Sequence, residues 1–430
     1  MISKISKIKG IENYNKLINN TINRDFLVSI NKVFLYKALV YVILTVILVL
    51  TARNFTAAQY GRTGVINNLA FLMFVPMILG VHSSMYKFLP ISNKADRNEL
   101  MIISALGSFI SISLFSVFLL LAKRFFIAWL NITMNEWHMV IILTVFVSLS
   151  TISESYLRGQ EKFDAICIFK LISTLLNLIA IAVFYFVLNI KNIEVYVFSL
   201  IVSHMVFTIL AVIKLGIKKT CKIRWTSVKK VYIYGLSNIL SMSLGGLTLS
   251  SDLFFVNYFC NASTVGHYNA YQGFMKNIFS VLFYEIFLVV FLPFLAKSDN
   301  KHIKKAVSKY IPILIITVFL GAAISTIVFI CLFGKSYELN LVYIVISSLG
   351  IAIYTVYQIY VYLYNIEGSK RAMITGLSTL MVLPFTLGLQ YYLTKNYNMT
   401  GALISVVLTN IILIMCLKVV NSKTQKSQLL

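Results

Sequence analysis

Charge is scarce in this chain. Asp, Glu, Lys and Arg make up 12% of its 430 residues, against 59% hydrophobic. That deficit excludes a soluble domain, which could not hide so much apolar surface. Cysteine is rare too: Cys167, Cys221, Cys260, Cys331 and Cys416 are scattered, and no pair spacing suggests a disulfide or a metal site. The chain has no H-E-x-x-H, no G-x-S-x-G and no Cys/His cluster, so the usual signatures of hydrolases and metalloenzymes are missing. Gly334-Lys335-Ser336 looks like the end of a phosphate loop, but Phe329 stands where the first glycine belongs. No loop is long enough for a soluble domain, and the outer loops hold nothing more catalytic than Glu136 and His138. The chain therefore reads as a non-enzyme with no cofactor and no metal.

What the sequence has instead is long apolar runs. Twelve reach the length needed to cross a bilayer, roughly 33–52, 65–89, 99–122, 137–157, 167–188, 194–213, 231–259, 267–296, 309–332, 340–364, 372–393 and 400–420. The seventh and eighth are long enough to tilt or to extend beyond the membrane. The net charge of +24 invites a nucleic-acid reading, but its placement argues against one. With the N-terminus inside, 30 of the 38 Lys and Arg fall on the inner side, 7 on the outer side, and Lys276 within a span. That split is a strong positive-inside signal, placing both termini in the cytoplasm. Residues 1–30 are polar and basic, and read either as a short surface helix on anionic membrane lipids or as a frayed tail.

The chain also repeats itself. Tyr60-Gly61 follows the first span and Val265-Gly266 the seventh; Phe88-Leu89-Pro90 closes the second and Phe291-Leu292-Pro293 the eighth; Tyr156-Leu157 closes the fourth and Tyr362-Leu363 the tenth. All three matches lie about 205 residues apart. The expected fold is an all-α membrane protein of two pseudo-symmetric six-helix bundles, a common plan for secondary transporters. The segments expected are a cytoplasmic stretch 1–32, a first bundle 33–216, a basic linker 217–230, a second bundle 231–421 and a tail 422–430.

Ionisable groups inside spans are costly and usually face a cavity or a partner. In span seven, Asn238, Ser241, Gly245, Thr248 and Asp252 recur at helical steps; in span eight, Asn269, Gln272, Lys276 and Ser280 do the same. Two helices thus carry polar stripes with one charge each, of opposite sign. They read as cavity walls, or as small-residue packing with Lys276 snorkelling outward. Glu285 lies on the opposite face of span eight from Lys276 and, with Asp252 and His82, is a candidate for proton coupling. His204 reads more simply as a packing residue, and Glu154 as an i,i+4 partner of Arg158. Arg53 ends the first span as an interface anchor or a cavity rim. Tyr357, Tyr360 and Tyr364 form a stripe on span ten that suits either an interfacial belt or stacking on sugar rings. Pro76, Pro384 and Gly245-Gly246 permit bends within spans.

The motifs together resemble a known family. Arg53-Asn-Phe-Thr-Ala-Ala-Gln-Tyr60-Gly61 is similar to an Arg-x-Leu-Gly-x-x-x-Tyr-Gly stretch, with Phe55-Thr56 in place of Leu-Gly. Tyr156-Leu157-Arg158-Gly159, Asp252 followed by Val265-Gly266-His267-Tyr268-Asn269-Ala270, Leu292-Pro293 and Leu332-Phe333-Gly334-Lys335-Ser336-Tyr337 occur in matching order. The chain resembles the bacterial oligosaccharide-lipid flippases of the Wzx type, in the polysaccharide transporter family of the multidrug/oligosaccharidyl-lipid/polysaccharide exporter superfamily. The resemblance implies two bundles around a cavity in the bacterial cytoplasmic membrane. It implies a polyprenyl-diphosphate-linked oligosaccharide moved to the outer leaflet for O-antigen or capsule, with a polysaccharide polymerase and a chain-length regulator as partners. On that reading Lys276 helps hold the diphosphate, and Asp252 orders it. The alternatives are a cation-coupled multidrug extruder of the same fold, using Asp252, Glu285 and Glu154, or a membrane polysaccharide polymerase.

Overall fold

The computed structural model describes residues 24–216, 223–273, 275, 276, 279, 300–365 and 369–426. Residues 1–23, the middle of the linker, Ser280, Glu285 and Leu292-Pro293 lie outside the described residues. All regular structure among the described residues is helical.

The first half comprises α1 (Arg24–Asn54), α2 (Ala57–Met77), α3 (Val81–Phe88), α4 (Lys94–Leu121), α5 (Lys123–Leu130), α6 (Met134–Gly159), α7 (Phe163–Ala182) and α8 (Ile193–Leu215). α2 and α3 form one span bent by 65°. The break follows Pro76 and needs left-handed backbone at Leu79 and Gly80. Polar caps satisfy the helix starts: Asn93 accepts from the Asp96 amide at 2.9 Å, and Asn192 from the Val195 amide at 3.0 Å. Thr133 and Glu136 make a reciprocal capping box on α6.

The second half comprises α9 (Trp225–Phe259), α10 (Ala262–Tyr268), α11 (Asn300–Phe333), α12 (Leu341–Asn365) and α13 (Ser369–Lys426). α9 has 35 residues. It starts six residues before the expected second bundle, and at 1.5 Å per residue it outruns a bilayer core of about 30 Å. α10 passes into a π-helical turn, Asn269–Gly273. α13 is two helices joined at Asn398, whose φ of 50° and ψ of −135° break the rod between the eleventh and twelfth apolar runs.

Among the described residues, eight helices, or nine if the bent pair is one span, are long and apolar enough to cross a membrane. Their outward faces are apolar like the core they enclose. α4 buries Ser104, Ser108 and Ser111 while exposing Phe109, Leu114 and Phe118. Lipid is as apolar as a core, so small polar residues take the helix contacts and bulky ones face outward. Ser104 Oγ lies 2.7 Å from Tyr156 Oη across one such contact.

Within the first half, α6 packs on α2, α3 and α8, and α7 on α1 and α8; within the second, α12 packs on α11 and α13, and α13 on α9. The halves meet where α10 lies on α2 and α9 on α2 and α3. Glycine makes both approaches possible. A Cβ on Gly61 would sit 2.5 Å from the Gly266 nitrogen, and one on Gly266 only 1.8 Å from the Ala57 carbonyl oxygen. Toward the lysine-rich end, a Cβ on Gly235 would sit 2.7 Å from the Leu79 carbonyl oxygen. Ser84 Oγ donates to the Val231 carbonyl at 2.6 Å, and Arg224 Nε to Glu99 at 2.9 Å. At the opposite end Arg62 donates to the Asn131 carbonyl at 2.8 Å and to Asn257 Oδ1 at 3.2 Å, tying α2 to α9.

Candidate functional site

A cavity of about 450 Å³ opens among α1, α2, α6, α7 and α8. Each helix presents residues at steps of three and four, which keeps them on one face. α1 gives Lys37, Tyr41 and Leu44; α2 gives Tyr60, Gly64, Asn67 and Phe71; α6 gives Val147, Thr151 and Glu154. α7 gives Cys167, Lys170, Thr174 and Asn177, and α8 gives Tyr196, Leu200, Ser203 and Phe207. Asn269 reaches in from the other half.

The wall is graded. At the lysine-rich end, Glu154 bonds Arg158 at 2.7 Å and Lys170 at 3.1 Å. The i,i+4 pair read from the sequence is therefore part of a larger cluster. Deeper in, the lining is hydroxyls and amides. Thr174 and Ser173 return their hydroxyls to the Lys170 carbonyl at 2.7 and 3.0 Å, and Ser150 Oγ lies 2.8 Å from His204 Nδ1. Asn177 Oδ1 is buried without a partner. Such a lining suits a ligand with an anionic part and a hydroxyl-rich part.

Of the described residues singled out in spans seven and eight, Asn269 alone lines this cavity. Lys276 Nζ donates to Asp252 Oδ2 at 2.9 Å, and Tyr268 Oη donates to the same oxygen at 2.7 Å. Both charged side chains are 5% exposed or less. Asp252 and Lys276 thus pair with each other, and neither lines the described cavity. The physical reason is the π-turn. Counting at 100° per residue puts Asn269, Gln272 and Lys276 on one face, yet Asn269–Gly273 winds more loosely than an α-helix. Asn269 therefore points at α2, where a Cβ on Gly64 would meet it, and Lys276 turns to α9. Gln272 is buried against α12 near Gly350 with neither amide atom partnered.

Asn238 and Thr248 spend their side chains on their own helix, on the Tyr234 and Leu244 carbonyls at 2.8 Å each. Arg53 Nε donates to the Leu332 carbonyl at 2.6 Å, joining the ends of α1 and α11. Tyr357 and Tyr360 are buried in a small core with Leu413 and Leu417, Tyr360 stacked on Tyr364 with Lys418 over its ring. His82 is buried between the rings of Phe74 and Tyr86. The stripe Cys167, Lys170, Thr174, Asn177 on α7 was there to be found at steps of three, four and three. It hides because serine and threonine are ordinary packing residues in spans and Lys170 sits near a helix end.

A family model described as polysaccharide biosynthesis protein matches residues 30–299. No curated protein matches the chain. Solved structures share the fold. A multidrug resistance MATE family transporter of the MOP superfamily, in an inward-facing conformation, superposes with a TM-score of 0.66 at 12% identity, over 88% of this chain and 94% of that one. Lipid II flippase MurJ, in an inward closed conformation, gives 0.64 at 16% identity over 92% and 87%. A MOP superfamily transporter from Pyrococcus furiosus, described as having a binding pocket of reverse polarity, gives 0.57 at 14% identity over 92% and 95%.

Proposed function

The chain belongs to the polysaccharide biosynthesis protein family, and from that premise we propose that it is a flippase for polyprenyl-diphosphate-linked oligosaccharide repeat units. It carries them from the inner to the outer leaflet of the bacterial cytoplasmic membrane, for a surface polysaccharide such as O-antigen or capsule. A polysaccharide polymerase and a chain-length regulator then act on the units.

The observation that carries this reading is the graded cavity: cations toward one end and amides and hydroxyls beyond them. A diphosphate cannot enter hydrocarbon uncompensated, and sugar hydroxyls need partners once they leave water. The polyprenyl tail needs neither and stays in the bilayer. Transport proceeds by alternating access, with the segments 33–216 and 231–421 moving as the two bodies about the glycine contacts of α2, α9 and α10. The reading as an extruder of cationic drugs fits less well, because the cations at the mouth outnumber its one carboxylate.

Deleting the gene and fractionating lipid-linked oligosaccharides by length and leaflet tests the proposal. Complete single units stranded on the inner leaflet are expected. Unpolymerised units on the outer leaflet identify a polymerase instead, and an unchanged polysaccharide profile overturns the reading.

A further inference from the structure

Beyond the Lys170–Glu154 pair, the hydroxyl and amide residues that α6 and α7 present to the cavity are Ser150, Thr151, Ser173, Thr174 and Asn177. A hydroxyl has one proton to give and two lone pairs to offer. In all four hydroxyl residues the proton is committed to the helix itself. Ser150 and Thr151 donate to the Val147 carbonyl at 2.9 and 2.8 Å, and Ser173 and Thr174 to the Lys170 carbonyl at 3.0 and 2.7 Å. What these side chains keep for the cavity is lone pairs, and Ser150 Oγ also faces His204 Nδ1 at 2.8 Å. Bonds of this kind are ordinary in helices. Asn177 is the residue that points to a ligand. It stands one turn past Ser173 and Thr174 on the same face, only 2% exposed, and its Oδ1 is an acceptor that no protein donor meets. A buried carbonyl oxygen without a donor is costly, and a donor brought by a ligand removes the cost. The α6–α7 wall thus turns a set of acceptors toward a space of about 450 Å³, a volume within the usual range of small-molecule sites.

Taking the lipid-linked oligosaccharide from the flippase reading, we propose that this wall is the seat of an uncharged, hydroxyl-bearing sugar of the repeat unit, and that Asn177 is the residue that selects it. Sugar hydroxyls and the N–H of an acylamino group are donors, and they meet the lone pairs of Thr151, Ser173, Thr174 and Asn177. The carboxylate of an acidic sugar is an acceptor only, so it sets lone pairs against lone pairs at Thr174 and Asn177 Oδ1. The seat therefore discriminates between a hydroxymethyl group and a carboxylate at one ring position. The second leaves acceptors unpaired on both sides, and that penalty rather than any extra contact carries the selectivity.

The test is titration of the purified full-length protein, in phosphatidylcholine nanodiscs, with geranyl diphosphate esterified by glucose, by glucuronic acid or by methanol. Wild type binds the glucose probe about tenfold more tightly than either of the others, the worth of a donor reaching Asn177. Asn177→Leu removes the acceptor at similar size. It weakens the glucose probe about tenfold, to the level of the methyl probe, whose own binding does not change. Thr174→Val acts in the same direction and Thr174→Ser does not, so the comparison stands even where Asn177→Leu fails to fold. Equal binding of the glucose and methyl probes by wild type, or binding of neither, overturns the seat. Glucuronic acid held as tightly as glucose overturns it too, as does a folded Asn177→Leu protein that keeps the wild-type order. These results leave the flippase reading untouched. Binding of geranyl glucoside, which has no diphosphate, as tightly as the glucose probe supports the seat but assigns it to a neutral glycolipid and refutes the flippase. The expected order of affinities beside an unchanged polysaccharide profile on gene deletion does the same.

Discussion

Gly266→Ala should pry the two halves apart at the end away from the lysine-rich loops. The added methyl would fall 1.8 Å from the Ala57 carbonyl oxygen and 2.5 Å from its carbonyl carbon. Both are backbone atoms of α2, so no side chain can swing aside. α10 must lift off α2 by more than an ångström, or strain in place. Overpacking of this kind costs about 1–3 kcal/mol. Charged to the conformation in which these helices touch, it shifts the ratio of closed to open forms by about 5- to 150-fold. The readout is residue-resolved labelling of Cys167, which lines the cavity, by a membrane-impermeant thiol reagent added from the outer side. Labelling should rise in Gly266→Ala. The control is Gly245→Ala in α9, whose added methyl meets nothing within 4 Å. There only the helix propensity changes, in favour of alanine by about 1 kcal/mol. If both variants label at the wild-type rate, or Gly266→Ala melts and labels like its control, the contact does not govern the closed form and the reasoning is wrong.

Lys276→Met leaves the buried Asp252 charge without its counter-cation, and should cost about 3–5 kcal/mol, seen as a lower melting temperature in detergent. Adding Asp252→Asn should recover part of that loss; no recovery would mean that the two charges are not coupled. Arg62→Gln removes charge-assisted bonds that tie α2 to α9, worth about 1.5–3 kcal/mol, and should raise outer-side labelling of Cys167 without lowering protein yield. Thr133→Ala removes one side of the capping box on α6 and should lower stability by about 1 kcal/mol, read as a small fall in melting temperature with transport retained.

The spans were legible because a bilayer imposes a length and a composition on every crossing helix, and the repeat supplied the division into two halves. The pairing of Asp252 with Lys276 was legible in outline, since opposite charges buried on neighbouring spans seek each other. What they face was not. Helical counting assumes one winding, and the π-turn at Asn269–Gly273 broke that assumption midway through the stripe. The cavity of the first half escaped for another reason. Its walls come from five helices, and each stripe alone looks like routine packing. Only their convergence on one space makes a cavity, and convergence is a property of the tertiary fold. The start of α9 at Trp225 was missed because Lys229 and Lys230 read as linker by charge, although helices readily carry lysines past the membrane surface.

The glycine contact between α2 and α10 carries a further consequence. The sequence repeat aligns Gly61 with Gly266, and two identical halves related by a rotation would meet there as a self-complementary pair, each making the same contact with the other copy. Here they do not. A Cβ on Gly61 meets the Gly266 nitrogen, but one on Gly266 meets Ala57, a full turn earlier in the opposing helix. The two glycines therefore meet different backbone atoms, an amide nitrogen on one side and a carbonyl on the other, and the joint is asymmetric in its contacts. A mutation copied from one repeat into its twin will not have the same effect, and what the chain loses in symmetry it gains in having two unlike ends at the same joint.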